Sequence, residues 1–246
     1  GWSGVRFGTD GVRGRANTDL TAAFALDLGR AAARVLGASV AVVGGDSRLS
    51  TPMLEAAFVA GLAAEGVEVH RLGVTPTPAV AFEAQRLGAM GAVISASHNP
   101  YHDNGIKLFA VGGTKLPDEV ETAIEAELER LAPPTGDPGI VHGRGGSADE
   151  YIDHLLSALE GRQLTGLRVV VDAANGAASH LAADVFQRTG AQVIVINDRP
   201  DGRNINDRCG ATDVTGLQAV VTAERAHVGI ALDGDADRLI AVDEQG

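Results

Sequence analysis

The chain has 246 residues, 45% of them hydrophobic, which is enough apolar material for one large core or two of ordinary size, and two domains are expected. A formal net charge of −12 excludes a general electrostatic attraction to nucleic acid or to an anionic membrane surface, so any phosphate must be met by local groups. The single cysteine, Cys209, excludes an internal disulfide framework and reads as a packed thiol in a reducing compartment.

In chain order, Asn17, Thr18 and Asp19 are cap candidates for a helix over "DLTAAFALDLGRAAARVLG", where alanine and leucine recur at helical spacing. "SVAVVGGDSR" is a short β-branched run ending in glycine. It leads into a second helix, "STPMLEAAFVAGLAAEG", with Ser50 or Thr51 as cap and Pro52 in its first turn. The alternation continues through "VEVHRLGV", "TPAVAFEAQRLG", "GAVISAS", "GIKLFA" and the acidic helix "PDEVETAIEAELERL". Between Ala132 and Gly146 it breaks into the proline- and glycine-rich "APPTGDPGIVHGRGG", where a domain boundary is predicted: residues 1–146, then 147–246. Beyond it the pattern restarts with "SADEYIDHLLSALEG", "LRVVVDAANG", "AASHLAADVFQRTG", "AQVIVIND", "DVTGLQAVVTAERA", "VGIALDGDADR" and "LIAVDEQG". Strands alternating with helices predict an α/β class protein: two α/β/α sandwich domains with mostly parallel sheets. No apolar run approaches the roughly 20 residues of a membrane span, and the start carries no signal pattern, so a cytoplasmic protein is expected. The last strand runs to the final glycine with no closing helix, which reads as a chain cut from something longer.

Four polar loops fall at strand ends, where α/β sheets bind ligands: "GGDSR" (Gly44 to Arg48), "SASHNP" (Ser95 to Pro100), "DAANG" (Asp172 to Gly176) and "DGDADR" (Asp233 to Arg238). "GGDSR" and "DAANG" taken alone read as turn chemistry. "DGDADR" differs, because Asp233, Asp235 and Asp237 at alternate positions bring three carboxylates together and their repulsion calls for a cation. Oxygen-only ligands suit a hard ion, and Mg2+ is the leading choice. A calcium EF-hand is the rival, since the twelfth position counted from Asp233 is Glu244; against it, the sixth is Arg238 where glycine is required, and the flanks read as strands.

A serine hydroxyl needs activation, or a group already attached, before it can transfer anything, and no GxSxG elbow surrounds Ser95 or Ser97. Phosphoryl transfer supported by a metal fits the two loops jointly. Arg13, His98, Lys107 and Arg238 offer the positive charge a phosphate requires, and Lys107 is the best candidate to exchange a proton with a substrate hydroxyl.

The series "FGTDGVRG", "GGDSR", "ISASHNP", "NGIKLF" and "DGDADR", in that order, resembles the α-D-phosphohexomutases. "FGTDGVRG" and "DGRNINDRCGAT" (Asp201 to Thr212) resemble their bacterial phosphoglucosamine mutase branch, from about Val5 to Asp243. The resemblance implies that Ser97 is a phosphoserine, that Asp233, Asp235, Asp237 and the Ser97 phosphate ligate one Mg2+, and that Lys107 serves as general acid/base. It further implies that Arg13 neighbours the phosphoserine, and that His98 and Arg238 support the same pocket. The implied reaction interconverts glucosamine 6-phosphate and glucosamine 1-phosphate through a 1,6-bisphosphate, towards UDP-N-acetylglucosamine and cell-wall precursors, by a cytoplasmic homodimer. Such mutases have four domains and this chain matches the first two, with no counterpart of domains III and IV. By itself it is therefore expected to be a poor mutase, since orientation of the sugar is worth several kcal/mol. The alternatives are a phosphosugar- and metal-binding module without turnover, and another phosphohexomutase acting as phosphomannomutase or phosphoglucomutase.

Overall fold

The structure, a computed structural model, describes residues 6–8, 10–143 and 148–246. The chain forms two compact units, one of Gly1–Ala96 with His102–Gly145, the other of Ser97–Tyr101 with Gly146–Gly246. The boundary predicted between residues 146 and 147 lies outside the described residues.

The first unit is built on a six-stranded sheet in the order β1-β5-β4-β2-β3-β6. Its strands are β1 (Val12–Arg15), β2 (Val40–Gly45), β3 (Glu68–Val74), β4 (Met90–Ile94), β5 (Asp103–Phe109) and β6 (Val141–His142). The pairs β2/β3, β2/β4 and β3/β6 are parallel, whereas β5 runs antiparallel to both β4 and β1. Side chains alternate across the central strands. Ala41 and Val43 of β2 join Met90, Ala92 and Ile94 of β4 in a core with Phe24, Leu28, Leu54, Phe58 and Ile124 of helices α1 (Ala22–Leu36), α2 (Thr51–Ala64) and α4 (Asp118–Leu128). Val42 and Val93 face the other way, onto Val80 and Ala84 of α3 (Thr77–Leu87). Continuous apolar runs with both faces covered are what a parallel sheet between helices requires.

One local expectation is corrected and two strands are added. The cap of α1 is Thr21, whose Oγ1 accepts from the Phe24 N–H at 3.1 Å, while Asn17 turns with φ +62° and Asp19 Oδ2 accepts from the Arg15 N–H. Near the start, where no strand is predicted, Val12–Arg15 forms β1 and pairs with β5, Arg13 opposite Gly105. The proline- and glycine-rich stretch between Ala132 and Gly146, where no strand is predicted, contributes β6, two residues added to the edge of β3.

The second unit has a four-stranded sheet in the order β10-β9-β7-β8, from β7 (Arg168–Asp172), β8 (Gln192–Ile196), β9 (Val228–Leu232) and β10 (Leu239–Val242). Strands β8, β7 and β9 are parallel and β10 returns antiparallel to β9. Val170 and Ala231 pack on Leu217 and Val221 of α7 (Thr215–Ala223). Val169 and Val171 pack on Ala182 of α6 (Ala182–Arg188), with Phe186 beside them. Helix α5 (Asp149–Ser157) opens this unit. Both units are α/β/α sandwiches, and among the described residues three of the five strand pairings in the first and two of three in the second are parallel. Among the described residues no helix is long and apolar enough to cross a membrane.

Candidate functional site

In the second unit the loops leaving the parallel strands β7 and β9 lie side by side, and the segment Ser97–Tyr101 belongs to this unit. The Asp233–Arg238 loop is the turn of the β9/β10 hairpin, closed by the Ala236 N–H to the Asp233 carbonyl at 3.0 Å. The elements flanking it are strands, which removes the helix-loop-helix frame of an EF-hand. Ala236 at φ +57° makes the tight bend. One carboxylate oxygen from each of Asp233, Asp235 and Asp237 lies within 4.8 Å of the other two; Asp233 and Asp235 are buried and Asp237 is exposed.

Ser97 Oγ donates to Asp233 Oδ2 at 2.7 Å, so the strand-end serine meets the acidic cluster directly. The other Asp233 oxygen accepts from the Arg238 N–H at 3.1 Å. Burial, and then the neighbouring Asp235, hold the Asp233 carboxyl above the ordinary carboxylate range, against the Ser97 hydrogen bond that pulls it down. Two buried acids so placed repel one another, and a third carboxylate stands at the rim. An oxygen-donor set with that charge fits a hard divalent cation. Arg238 contributes mainly its backbone to the loop. Its guanidinium reaches towards solvent, with Nε 4.0 Å from Asp237 Oδ1. His98 is exposed.

The serine loop is held in an uncommon backbone state. Ser97 has φ +51°, a conformation that costs a serine on the order of 1–3 kcal/mol and persists where surroundings enforce it. Asn206 does this: its Nδ2 donates to the Ser97 carbonyl at 2.8 Å and to the Asn99 carbonyl at 3.2 Å. Gly234 lets the two loops touch, because a Cβ there would collide with the Ser97 carbonyl oxygen and the Asn206 side chain. Asn206 is positioned by its own N–H to the Ala174 carbonyl, in the loop after β7. That loop is a true turn, with Asp172 Oδ1 accepting from Ala174 N–H and Oδ2 from Gly210 N–H at 2.8 Å. Sequence reasoning used "DGRNINDRCGAT" only as a family mark and passed over Asn206. Cys209 is buried, and burial, then Asp172 and Asp207, push its thiol up to about 12, which suits a packed thiol and not a nucleophile.

The other two predicted site residues belong to the first unit. Arg13 and Lys107 lie on one face of the β1/β5 pair, since Arg13 sits opposite Gly105 and Lys107 is two residues on. Arg13 Nε is buried without a hydrogen-bond partner among the described residues, and its guanidinium lies 3.8 Å from Asp10. Lys107 Nζ lies 5.6 Å from the centroid of the Phe109 ring. Ser95 is not a second candidate nucleophile but part of a buried network. Its Oγ donates to Asp46 Oδ2 at 2.5 Å, the same oxygen accepts from Arg48 Nε at 2.8 Å, and Asp46 Oδ1 accepts from Thr51 Oγ1 at 3.0 Å. Both side chains of the Asp46/Arg48 pair are fully buried. "GGDSR" is thus more than a turn: it braces the end of β4 from which residue 97 departs.

Two family models match the chain, the phosphoglucomutase/phosphomannomutase α/β/α domain I over residues 4–134 and domain II over residues 149–246. A protein of Rhodococcus opacus named phosphoglucosamine mutase is 54% identical over 254 residues, covering 99% of this chain and 57% of that protein. One of Salinispora arenicola with the same name is 50% identical, over 99% of this chain and 56% of its own length. A crystal structure of a phosphoglucomutase/phosphomannomutase family protein from Burkholderia thailandensis superimposes with a TM-score of 0.84 at 30% identity, over 100% of this chain and 56% of that one. The chain thus spans somewhat more than half the length of these relatives. With both α/β/α domains matched in order, the chain belongs to the phosphoglucomutase/phosphomannomutase family.

Proposed function

We propose that this chain provides the phosphoryl-transfer half of a phosphoglucosamine mutase, which interconverts glucosamine 6-phosphate and glucosamine 1-phosphate through a phosphoserine at Ser97. The observation that carries the reading is the 2.7 Å hydrogen bond from Ser97 Oγ to Asp233 within a cluster of three acids. The names of relatives at 50–54% identity favour glucosamine phosphate over other hexose phosphates.

In this reading Asp233, Asp235 and Asp237 would hold Mg2+, whose charge lowers the cost of moving a phosphoryl group between oxygens. The chain's own residues do the rest. Asn206 and Gly234 fix the Ser97 backbone so that its oxygen is presented at the acidic loop. The Ser97 O–P bond breaks as a bond forms from phosphorus to one sugar oxygen, whose proton Lys107 accepts. The 1,6-bisphosphate turns over, its other phosphoryl group returns to Ser97 Oγ, and the freed sugar oxygen recovers a proton. Arg13, His98 and Arg238 offset phosphate charge. Domain organisation as residues 1–146 and 147–246, a homodimeric state and a cytoplasmic location belong to the same proposal.

The test is intact-mass analysis after incubation with glucosamine 1,6-bisphosphate and Mg2+. A single added phosphoryl group that Ser97→Ala abolishes is expected. The same addition in the Ser97→Ala variant would overturn the assignment. Comparing full-length turnover of glucosamine, glucose and mannose phosphates then fixes the sugar.

A further inference from the structure

At the outer edge of the first unit's sheet, where β6 pairs with β3, three metal-ligating side chains converge. Glu68 and His70 project from the same face of β3 because they are two residues apart, and His142 of β6 is the direct cross-strand partner of His70. The His70 and His142 rings stack with centroids 4.4 Å apart and planes 19° from parallel. Both Nε2 atoms address the same carboxylate oxygen, Glu68 Oε1, at 3.1 Å from His70 and 2.8 Å from His142. One ligand atom from each residue lies within 4.8 Å of the other two.

These spacings suit a particular class of ion. Tetrahedral ligands at about 2.0–2.1 Å from a zinc-sized ion stand about 3.3 Å apart, so small rotations of the two rings are enough to admit one. Two imidazoles and one carboxylate select a borderline transition metal over magnesium or calcium. The side chains are between 34% and 44% exposed, which leaves a fourth position open to water.

We infer that Glu68, His70 and His142 form a structural site for a divalent ion of the zinc class, which fastens β6 to the edge of β3. The backbone makes the need for a fastener plain. β6 is two exposed residues long, and the stretch before it is tied down by Gly139 N–H to the Ala63 carbonyl and by Val69 N–H to the Ile140 carbonyl, both 2.8 Å. Gly139 permits this close approach, since a Cβ there would strike the Val67 carbonyl. A two-residue strand held this lightly at a sheet edge frays readily, and an ion bridging His70 and His142 across the strands opposes that fraying.

Cobalt(II), which reports tetrahedral nitrogen coordination by visible absorption, is titrated into the metal-free chain with Mg2+ in excess to occupy the aspartate loop. One equivalent producing a tetrahedral band, displaced by Zn2+, is expected, with affinity falling about tenfold or more in each of His70→Ala, His142→Ala and Glu68→Gln. Zn2+ should also raise the melting temperature of the parent chain and not that of His142→Ala, a comparison in which both proteins must first be folded. Absence of a saturable band in the parent chain, or a band unchanged in the two histidine variants, would overturn the site.

Discussion

Ser97 Oγ and Asp233 Oδ2 lie 2.7 Å apart although 136 positions separate them in the chain. The serine comes from the loop after β4 and the aspartate from the turn of the β9/β10 hairpin, yet both belong to the second compact unit. In the proposed reading this hydroxyl, donating to a buried carboxylate, is the group that takes up phosphate. Once Ser97 carried a phosphoryl group that hydrogen bond would be gone, and two anions would face each other unless a cation intervened. On that reading the serine and the acidic loop would act together.

Asp235→Asn should weaken Mg2+ binding by at least about tenfold, because an anionic oxygen ligand is replaced by a neutral one. Isothermal calorimetry on the metal-free chain measures this directly, and unchanged affinity would remove Asp235 from the ligand set.

The raised Asp233 carboxyl gives a pH dependence whose sign is fixed. Between the ordinary carboxylate range and its raised value the folded chain binds more protons than the unfolded one, so metal-free stability falls as pH rises through that window. Below the window the contribution is fully present. Saturating Mg2+ should flatten the slope, since the ion takes the place of the proton. Urea midpoints measured across pH with and without Mg2+ check both statements.

Asp46→Ala should destabilise the chain by about 3–5 kcal/mol, since it leaves the fully buried Arg48 charge without its carboxylate and strips Ser95 and Thr51 of their shared acceptor. Equilibrium unfolding in urea reads the loss. A change under about 1 kcal/mol, the scale of an exposed pair, would contradict the buried network.

Asn206→Ala should cost about 1–3 kcal/mol and release the Ser97 loop, because two carbonyls lose their donor. Phosphoryl acceptance at Ser97 should slow more than the stability loss alone explains. The conservative Asn206→Gln change should be impaired as well, since an extra methylene displaces the amide from both carbonyls. The rate of mass gain from the bisphosphate, measured well below the melting temperature, checks both variants.

Cys209 should resist thiol reagents in the folded chain and react on unfolding, since burial and two nearby acids hold its proton. Labelling with a chromogenic disulfide in buffer and in denaturant distinguishes the two states.

Much of this protein is legible in one dimension because the relevant signals are local. The apolar runs of β2, β4, β7 and β9 are continuous, so their burial between helices follows from composition and period alone. The alternate aspartates of "DGDADR" sit within six residues, and three carboxylates that close announce a cation in any fold. What depends on non-local pairing is not written locally. "VRGR" is too short to look like a strand until β5 supplies its partner, and the same is true of "VH" in β6 beside β3. "GGDSR" reads as a turn until folding brings Ser95 and Thr51 onto Asp46. An asparagine in "DGRNINDRCGAT" carries no sign that its amide will hold a serine loop more than a hundred residues earlier. The layered α/β architecture and the acidic loop thus follow from residue order, because period, composition and short-range charge repulsion act along the chain, whereas the serine reaches that loop only through folding. The backbone groups that hold Ser97 in place, and the meeting of Glu68, His70 and His142 at one edge, were settled by folding, because those contacts exist only after strands distant in sequence have paired.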